Sequence, residues 1–300
     1  MNIVTHRFRG FSDRENSYRG FKTALEEGVV AFEFDVRLTS DGIPVVNHDR
    51  SINLLNGDRF DILTNNYRDL INSTGGDEHL RVIMSLAEAL EIFAGLREDE
   101  SKIFIDIKDY GEEEVIVSMI NEHSLRGSVV IVSWLPEVLF RIHVLDPGLP
   151  LCFSHNYIHS TLQFNLMKEF LTNKTVKHVV GSMTGAIKPA YAAGLKNIDF
   201  FFDEYNSFEA VPARNVSINR DFEHTLNGPV TGRLYEIIES SNGFLCIQHR
   251  MLDNEYACHY SKAPRVIPYS INDKRSLLRL PPNLDCPYIL SDNPQMVSRF

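Results

Sequence analysis

Ala31-Phe32-Glu33-Phe34-Asp35-Val36-Arg37-Leu38 alternates apolar and polar side chains with the two-residue period of a β-strand. Glu33 and Asp35 therefore share one face, and Phe32, Phe34, Val36 and Leu38 share the other. Standing alone, such a strand is also what a sheet edge with one solvated face presents. Its neighbours argue for a site instead. Ser40-Asp41-Gly42 is a tight-turn signal, and Ile43-Pro44-Val45-Val46-Asn47 is a second extended run that delivers His48-Asp49 back toward the first. Upstream, Ile3-Val4-Thr5 is a short apolar run ending in His6-Arg7, as a buried strand does when it presents polar residues at its carboxyl end. Two histidines flanking a pair of carboxylates form the inventory of a metal-assisted acid/base site.

Outward from this strand the chain alternates strands and helices. Ser17 to Glu27 reads as a helix with Phe21, Ala24 and Leu25 on one face. Ser85 starts another that runs through Phe93, with Leu86, Ala89, Leu90 and Phe93 spaced as one apolar face. Further strands are expected at Lys102 to Lys108, Val129 to Ser133 and Pro150 to Phe153, with helices over roughly 111–123 and 135–144 between them. Phe244 to Ile247, Arg265 to Ser270 and Tyr288 to Ser291 bring the strands to eight, the hairpin not counted. Residues 50–80 are polar, rich in Asn, Asp and Gly, and read as an excursion from the core. A single α/β domain over residues 1–300, a parallel (β/α)8 TIM barrel, is the economical architecture. It demands functional residues at the carboxyl ends of strands. Asp106 and Lys108 end the third strand two residues apart, Asn272 follows the seventh, and Asp292 follows the eighth.

At 300 residues and 43% hydrophobic content, the chain is long enough to bury one large core. Its formal net charge of −10 and its lack of a Lys/Arg cluster exclude a nucleic-acid or anionic-membrane surface. Cys152, Cys246, Cys258 and Cys286 are dispersed without metal-ligand spacing, so free thiols in a reducing compartment are expected. No apolar stretch is long enough to span a bilayer, and the first strand begins at residue 2, which predicts a cytoplasmic protein.

Glu33, Asp35 and Asp106 together suit one hard divalent cation, Mg²⁺ or Ca²⁺, bound through oxygen. Zinc would ask for more His or Cys. With these residues in place the chain resembles the glycerophosphodiester phosphodiesterases, metal-dependent (β/α)8 enzymes of the phosphatidylinositol-phospholipase-C-like superfamily that release glycerol 3-phosphate and an alcohol. Their His-Arg-Gly and Pro-Glu-Asn-Thr blocks correspond to His6-Arg7-Phe8 and Arg14-Glu15-Asn16-Ser17, with the interval from His to Glu kept. Their Glu-x-Asp-Val-x-x-Thr-x-Asp-Gly and His-Asp blocks match Glu33 to Gly42 and His48-Asp49. The Glu-x-Lys, Trp-Thr-Val-Asn and Thr-Asp-x-Pro blocks correspond to Asp106-Ile107-Lys108, Tyr269-Ser270-Ile271-Asn272 and Ser291-Asp292-Asn293-Pro294. Order and spacing hold over residues 2–155 and 243–297.

The resemblance implies His6 and His48 as the acid/base pair, Glu33, Asp35 and Asp106 as metal ligands, and Arg7, Lys108, Tyr269 and Asn272 around the substrate. Glu15 is expected to orient Arg7. Phe8 stands where the family has Gly, Arg14 where it has Pro, and Asp106 is one methylene shorter than the family's Glu. Asp-x-Lys at that place also resembles the related sphingomyelinase D enzymes, so attack on a (lyso)phospholipid headgroup is an alternative. A catalytically silent barrel that binds a phospho-ligand is another. Residues 156–242 exceed an ordinary connection between the fifth and sixth strands and read as an insertion: a lid, a specificity element or a homo-oligomer contact.

Overall fold

The computed structural model describes residues 1–53, 59–73, 83–109, 111–155, 232–249 and 265–298, together with Val230 and Leu252. The chain divides into two units, Met1–Ser154 with Thr231–Phe300, and His155–Val230. Every residue of the candidate site belongs to the first.

Twelve strands are found among the described residues. Eight of them lie parallel: β1 (Asn2–His6), β2 (Ala31–Leu38), β7 (Lys102–Ile107), β8 (Val129–Ser133), β9 (Leu151–His155), β10 (Phe244–Gln248), β11 (Val266–Tyr269) and β12 (Tyr288–Ser291). Their order is β11-β10-β9-β8-β7-β2-β1-β12. The Val266 amide bonds the Asp285 carbonyl at 2.8 Å and the Ile271 amide bonds the Leu290 carbonyl at 3.2 Å, so the last two strands meet and the sheet closes as a barrel. Several of the read boundaries shift by a residue or two, the seventh strand among them, read as Arg265 to Ser270 and found as Val266–Tyr269. The third strand stops at Ile107, the fifth runs on to His155, and the sixth extends to Gln248.

Alternation explains how this barrel makes a site. Val4, Ala31, Phe104, Val130, Val132, Cys152, Phe244, Cys246, Ile267 and Leu290 fill its interior as one apolar cluster. Two residues further along the same strands, the same inward face carries His6, Glu33, Asp106, Tyr269 and Asp292, and Asp35 follows Glu33. The period that packs the lower barrel thus places polar groups at its carboxyl end. Cys152, Cys246 and Cys286 are free thiols, as composition predicts; Cys258 lies outside the described residues.

The outward face of β2 is not solvated. All eight of its residues are buried, which removes the sheet-edge reading. Phe32 and Phe34 pack with Phe8, Phe21 and Phe93, the Phe8 and Phe21 rings stacking at 4.7 Å between centroids. Phe21 comes from α1 (Tyr18–Glu26), whose start is set by Ser17 accepting the Gly20 amide. Phe93 comes from α3 (Leu86–Leu96), which opens with a full capping box between Ser85 and Glu88. The helices α4 (Glu113–Glu122) and α5 (Pro136–Leu145) continue the βα rhythm.

Phe8 has φ of 58°, the left-handed backbone that Gly tolerates and Phe resists. Its fully buried ring explains why it persists there. Phe8→Gly relieves roughly 1 kcal/mol of backbone strain but removes a buried ring worth about 3–5 kcal/mol. A net loss of about 2–4 kcal/mol is expected in urea unfolding. A midpoint equal to wild type would show that the backbone, not the ring, decides.

The excursion over residues 50–80 is more structured than its polarity suggests. The turn after β2 leads into β3 (Pro44–Val46), which pairs antiparallel with β2 through Val36 and Val46, so the expected return of His48 holds. Beyond it, β4 (Ser51–Asn53) and β5 (Arg59–Asp61) pair, and α2 (Tyr67–Ser73) follows. Val45, Ile52, Ile62, Leu70 and Ile83 form a small buried cluster of their own. Of the expected insertion, residues 156–229 lie outside the described residues. Its final part is α6 (Gly232–Ser240), a helix with Leu234, Ile237 and Ile238 buried, leading into β10.

Candidate active site

β2 and β7 pair in parallel with Asp35 opposite Asp106, which sets two carboxylates side by side on one inward face. Glu33 lies one inward step below Asp35. One oxygen from each of Glu33, Asp35 and Asp106 lies within 4.8 Å of the others, and all three residues are buried. Such an arrangement repels itself unless cations join it. Two side chains do. Arg7 Nε stands 2.9 Å from Asp35 Oδ2, and Lys108 Nζ lies 3.1 Å from Asp35 Oδ1 and 2.7 Å from Asp106 Oδ2. Asn16 also donates to Asp35 Oδ2 at 2.9 Å.

The carboxylates respond differently. Burial, together with the Asp35 and Asp106 charges, pushes Glu33 well above the usual carboxylate range. Burial would raise Asp35 too, but Arg7 and Lys108 outweigh it and hold it well below that range. Among the described residues nothing hydrogen-bonds to Asp106 Oδ1, although that oxygen is buried. A buried acceptor left over in a cluster of hard oxygen donors fits a divalent cation such as Mg²⁺ or Ca²⁺. Among the described residues no other group of His, Cys, Asp and Glu is so arranged.

Charge on His6 or His48 would also favour the ionised form of Asp35. His6 Nδ1 is 2.6 Å from Asp292 Oδ1, and its Nε2 is 3.7 Å from Glu33 Oε2. Burial works against charge on Asp292, but His6, Asn272 and Arg9 hold it well below the ordinary range. As an ionised carboxylate it only accepts, so His6 Nδ1 carries the proton and Nε2 carries the lone pair. Burial lowers the His6 pKa against the opposing pull of Asp292. His48 Nδ1 lies 2.7 Å from Asp49 Oδ1, and this bond lowers the Asp49 pKa.

Around these groups the structure differs in detail from the sequence expectation. Arg7 and Lys108, expected on phosphate, are engaged by the carboxylates. Glu15 does contact Arg7, at 3.2 Å. Asn272, expected on substrate, turns both ends of its amide to Asp292: Nδ2 donates to Oδ2 at 2.8 Å, and Oδ1 accepts the Asp292 amide at 2.8 Å. Tyr269 is partly buried against the barrel core, and burial raises its phenol pKa. Three residues that sequence reasoning left without a role are built into the site. Asp292 holds His6, Asn16 holds Asp35, and Arg9 bridges Asp292 and Glu15. The positive φ of Arg7 and Asn16, 56° and 54°, marks the same loop as backbone bent to serve the site.

The chain has relatives. A model of the glycerophosphoryl diester phosphodiesterase family matches residues 6–196. A glycerophosphodiester phosphodiesterase of Caldanaerobacter subterraneus is 26% identical over 194 residues, covering 56% of this chain and 79% of that protein. Glycerophosphodiester phosphodiesterase 1 of Homo sapiens is 26% identical over 167 residues, covering 52% of this chain; the chain spans about half, 49%, of that relative. Among solved structures, a phosphodiesterase of Oleispira antarctica in complex with the product sn-glycerol-3-phosphate superposes with a TM-score of 0.60 at 17% identity, covering 100% of this chain and 96% of that one. At that identity the likeness speaks for the fold. No helix among the described residues is long and apolar enough to cross a membrane.

Proposed function

Because the chain belongs to the glycerophosphoryl diester phosphodiesterase family, we propose that it hydrolyses glycerophosphodiesters to sn-glycerol 3-phosphate and an alcohol. Glu33, Asp35 and Asp106 would hold one divalent cation. The observation that carries this reading is the buried carboxylate triad of Glu33 and Asp35 on β2 and Asp106 on β7, with the His6 Nε2 3.7 Å from Glu33. Charge supports it too. With all three carboxylates ionised, as cation binding would require, Arg7 and Lys108 leave one net negative charge, which a divalent cation would convert to one positive, the complement of a phosphodiester monoanion. When bound, that cation supplies Lewis-acid charge to a phosphate oxygen.

His6, kept neutral by burial and fixed by Asp292, takes the proton from the attacking hydroxyl through Nε2. That hydroxyl belongs to water, or to the glycerol itself, in which case a cyclic phosphate forms as the alcohol leaves and water opens it to glycerol 3-phosphate in a second step. His48, whose Nδ1 lies 2.7 Å from Asp49 Oδ1, returns a proton to the departing alkoxide. Arg7 and Lys108 keep positive charge beside the phosphate as it gains bonds.

The test is turnover of glycerophosphocholine, glycerophosphoethanolamine and lysophosphatidylcholine with Mg²⁺, with Ca²⁺ and with EDTA. Glycerol 3-phosphate from the first two, abolished by EDTA and restored by either ion, is the expected result. Turnover of lysophosphatidylcholine alone would move the activity to the headgroup reading. No metal-dependent turnover of any would overturn both.

A further inference from the structure

Arg37 sits on β2 in the inward series Glu33, Asp35, Arg37, yet it is buried and neither histidine nor metal ligand accounts for it. A buried guanidinium is costly unless its donors are matched. Here Nη1 donates to Asp109 Oδ1 at 2.8 Å, and Nε donates to the backbone carbonyl of His48 at 2.9 Å. Asp109, itself buried, is fixed in turn by the Leu38 amide on its Oδ2 at 3.0 Å. A second tie holds the same turn, since the Asn47 amide bonds the Asp35 carbonyl at 3.0 Å. Both ties to the His48 loop thus originate on β2, the strand that carries Glu33 and Asp35. At its far end the loop is tied to β5 and the turn after it, where the Arg50 carbonyl accepts the Ile62 amide at 2.8 Å and Arg50 Nε donates to Asp61 Oδ2 at 2.7 Å; the grip on His48 itself comes from Arg37.

We propose that Arg37, braced by Asp109, is a positioning residue that sets His48 against the reacting phosphodiester by gripping its carbonyl. The inference rests on the reading of His48 as proton donor to the leaving alcohol. The bland alternative is a core ion pair that stabilises the barrel and has no bearing on chemistry. A leaving-group comparison separates them. Choline leaves as an alkoxide that needs a proton, whereas 4-nitrophenolate leaves without one.

For wild type, Arg37→Lys, Arg37→Met, Asp109→Asn and His48→Ala, kcat is measured with Mg²⁺ on glycerophosphocholine and on the 4-nitrophenyl diester of glycerol phosphate. The ratio of the two rates, taken on one preparation, cancels any loss of folded protein. In His48→Ala the ratio is expected to fall about 100-fold, within the usual range for a lost general acid. Arg37→Lys, which keeps the charge but not the fork, is expected to lower it about tenfold. Arg37→Met lowers it further, and Asp109→Asn moves it the same way by less. A wild-type ratio in both Arg37 variants, beside a low ratio in His48→Ala, overturns the positioning role alone. A wild-type ratio in His48→Ala overturns the acid assignment, and the inference with it.

Discussion

Asp35→Asn is expected to lower kcat/KM by about 10⁴-fold, roughly 5.5 kcal/mol of transition-state stabilisation. The substitution keeps the shape of the side chain and removes one negative charge from the most connected group of the site. Asp35 is fully buried and meets Arg7, Lys108 and Asn16 at 2.9–3.1 Å. With Asn there, the two cations share only Glu33 and Asp106, and burial already pushes Glu33 toward its neutral form. The pocket then carries too little negative charge to attract a divalent cation, and affinity for Mg²⁺ falls together with rate. Breaking a buried pair also costs about 3–5 kcal/mol of stability, so melting of the metal-free variant drops as well. Kinetics, calorimetric titration with Mg²⁺ and thermal melts check the three effects separately. Loss of stability with metal affinity and rate within tenfold of wild type would make Asp35 a structural counter-ion and empty the proposed site.

Why these residues were legible in the sequence, and others not, follows from what a sequence pattern can carry. Two-residue alternation gives a direction to each strand residue, so it puts Glu33 and Asp35 on one face of their strand and Asp106 and Lys108 on one face of another, and strand pairing sets Asp35 opposite Asp106. Ser17 and Ser85 announced their helices because a cap is a local interaction between near neighbours. Partner choice is different. His6 and Asp292 meet across the closure of the barrel, 286 residues apart in sequence, and no spacing rule anticipates that contact. The same holds for Asn16 on Asp35 and Arg37 on Asp109. The resemblance places Arg7 and Lys108 around the substrate, whereas burial among three carboxylates makes them counter-ions first. The small cluster of Ile52, Ile62, Leu70 and Ile83 was hidden for another reason: its members come from short elements with no shared period.

Asp292→Asn is expected to lower kcat about 10³-fold, nearly as far as His6→Ala, even though Asp292 donates nothing to the substrate in this mechanism. The reason is tautomeric. Ionised Asp292 can only accept, which keeps the proton on His6 Nδ1 and the lone pair on Nε2, turned toward Glu33. Asn at this place offers an amide N–H, and the Asn272 side chain, which now donates to Asp292 Oδ2, favours the orientation that leaves that N–H facing His6. His6 then accepts at Nδ1 and carries its proton on Nε2, where the base is needed empty. An effect of this size has precedent in acid/base triads whose carboxylate is replaced by its amide. Arg9 donates to the same Asp292 oxygen that His6 uses, so in this orientation it loses both its acceptor and its charge partner, which adds to the cost of the variant. The double substitution His6→Ala, Asp292→Asn is therefore no slower than His6→Ala alone, because one function is removed twice. Multiplicative losses in the double variant would instead assign Asp292 an independent part in the reaction.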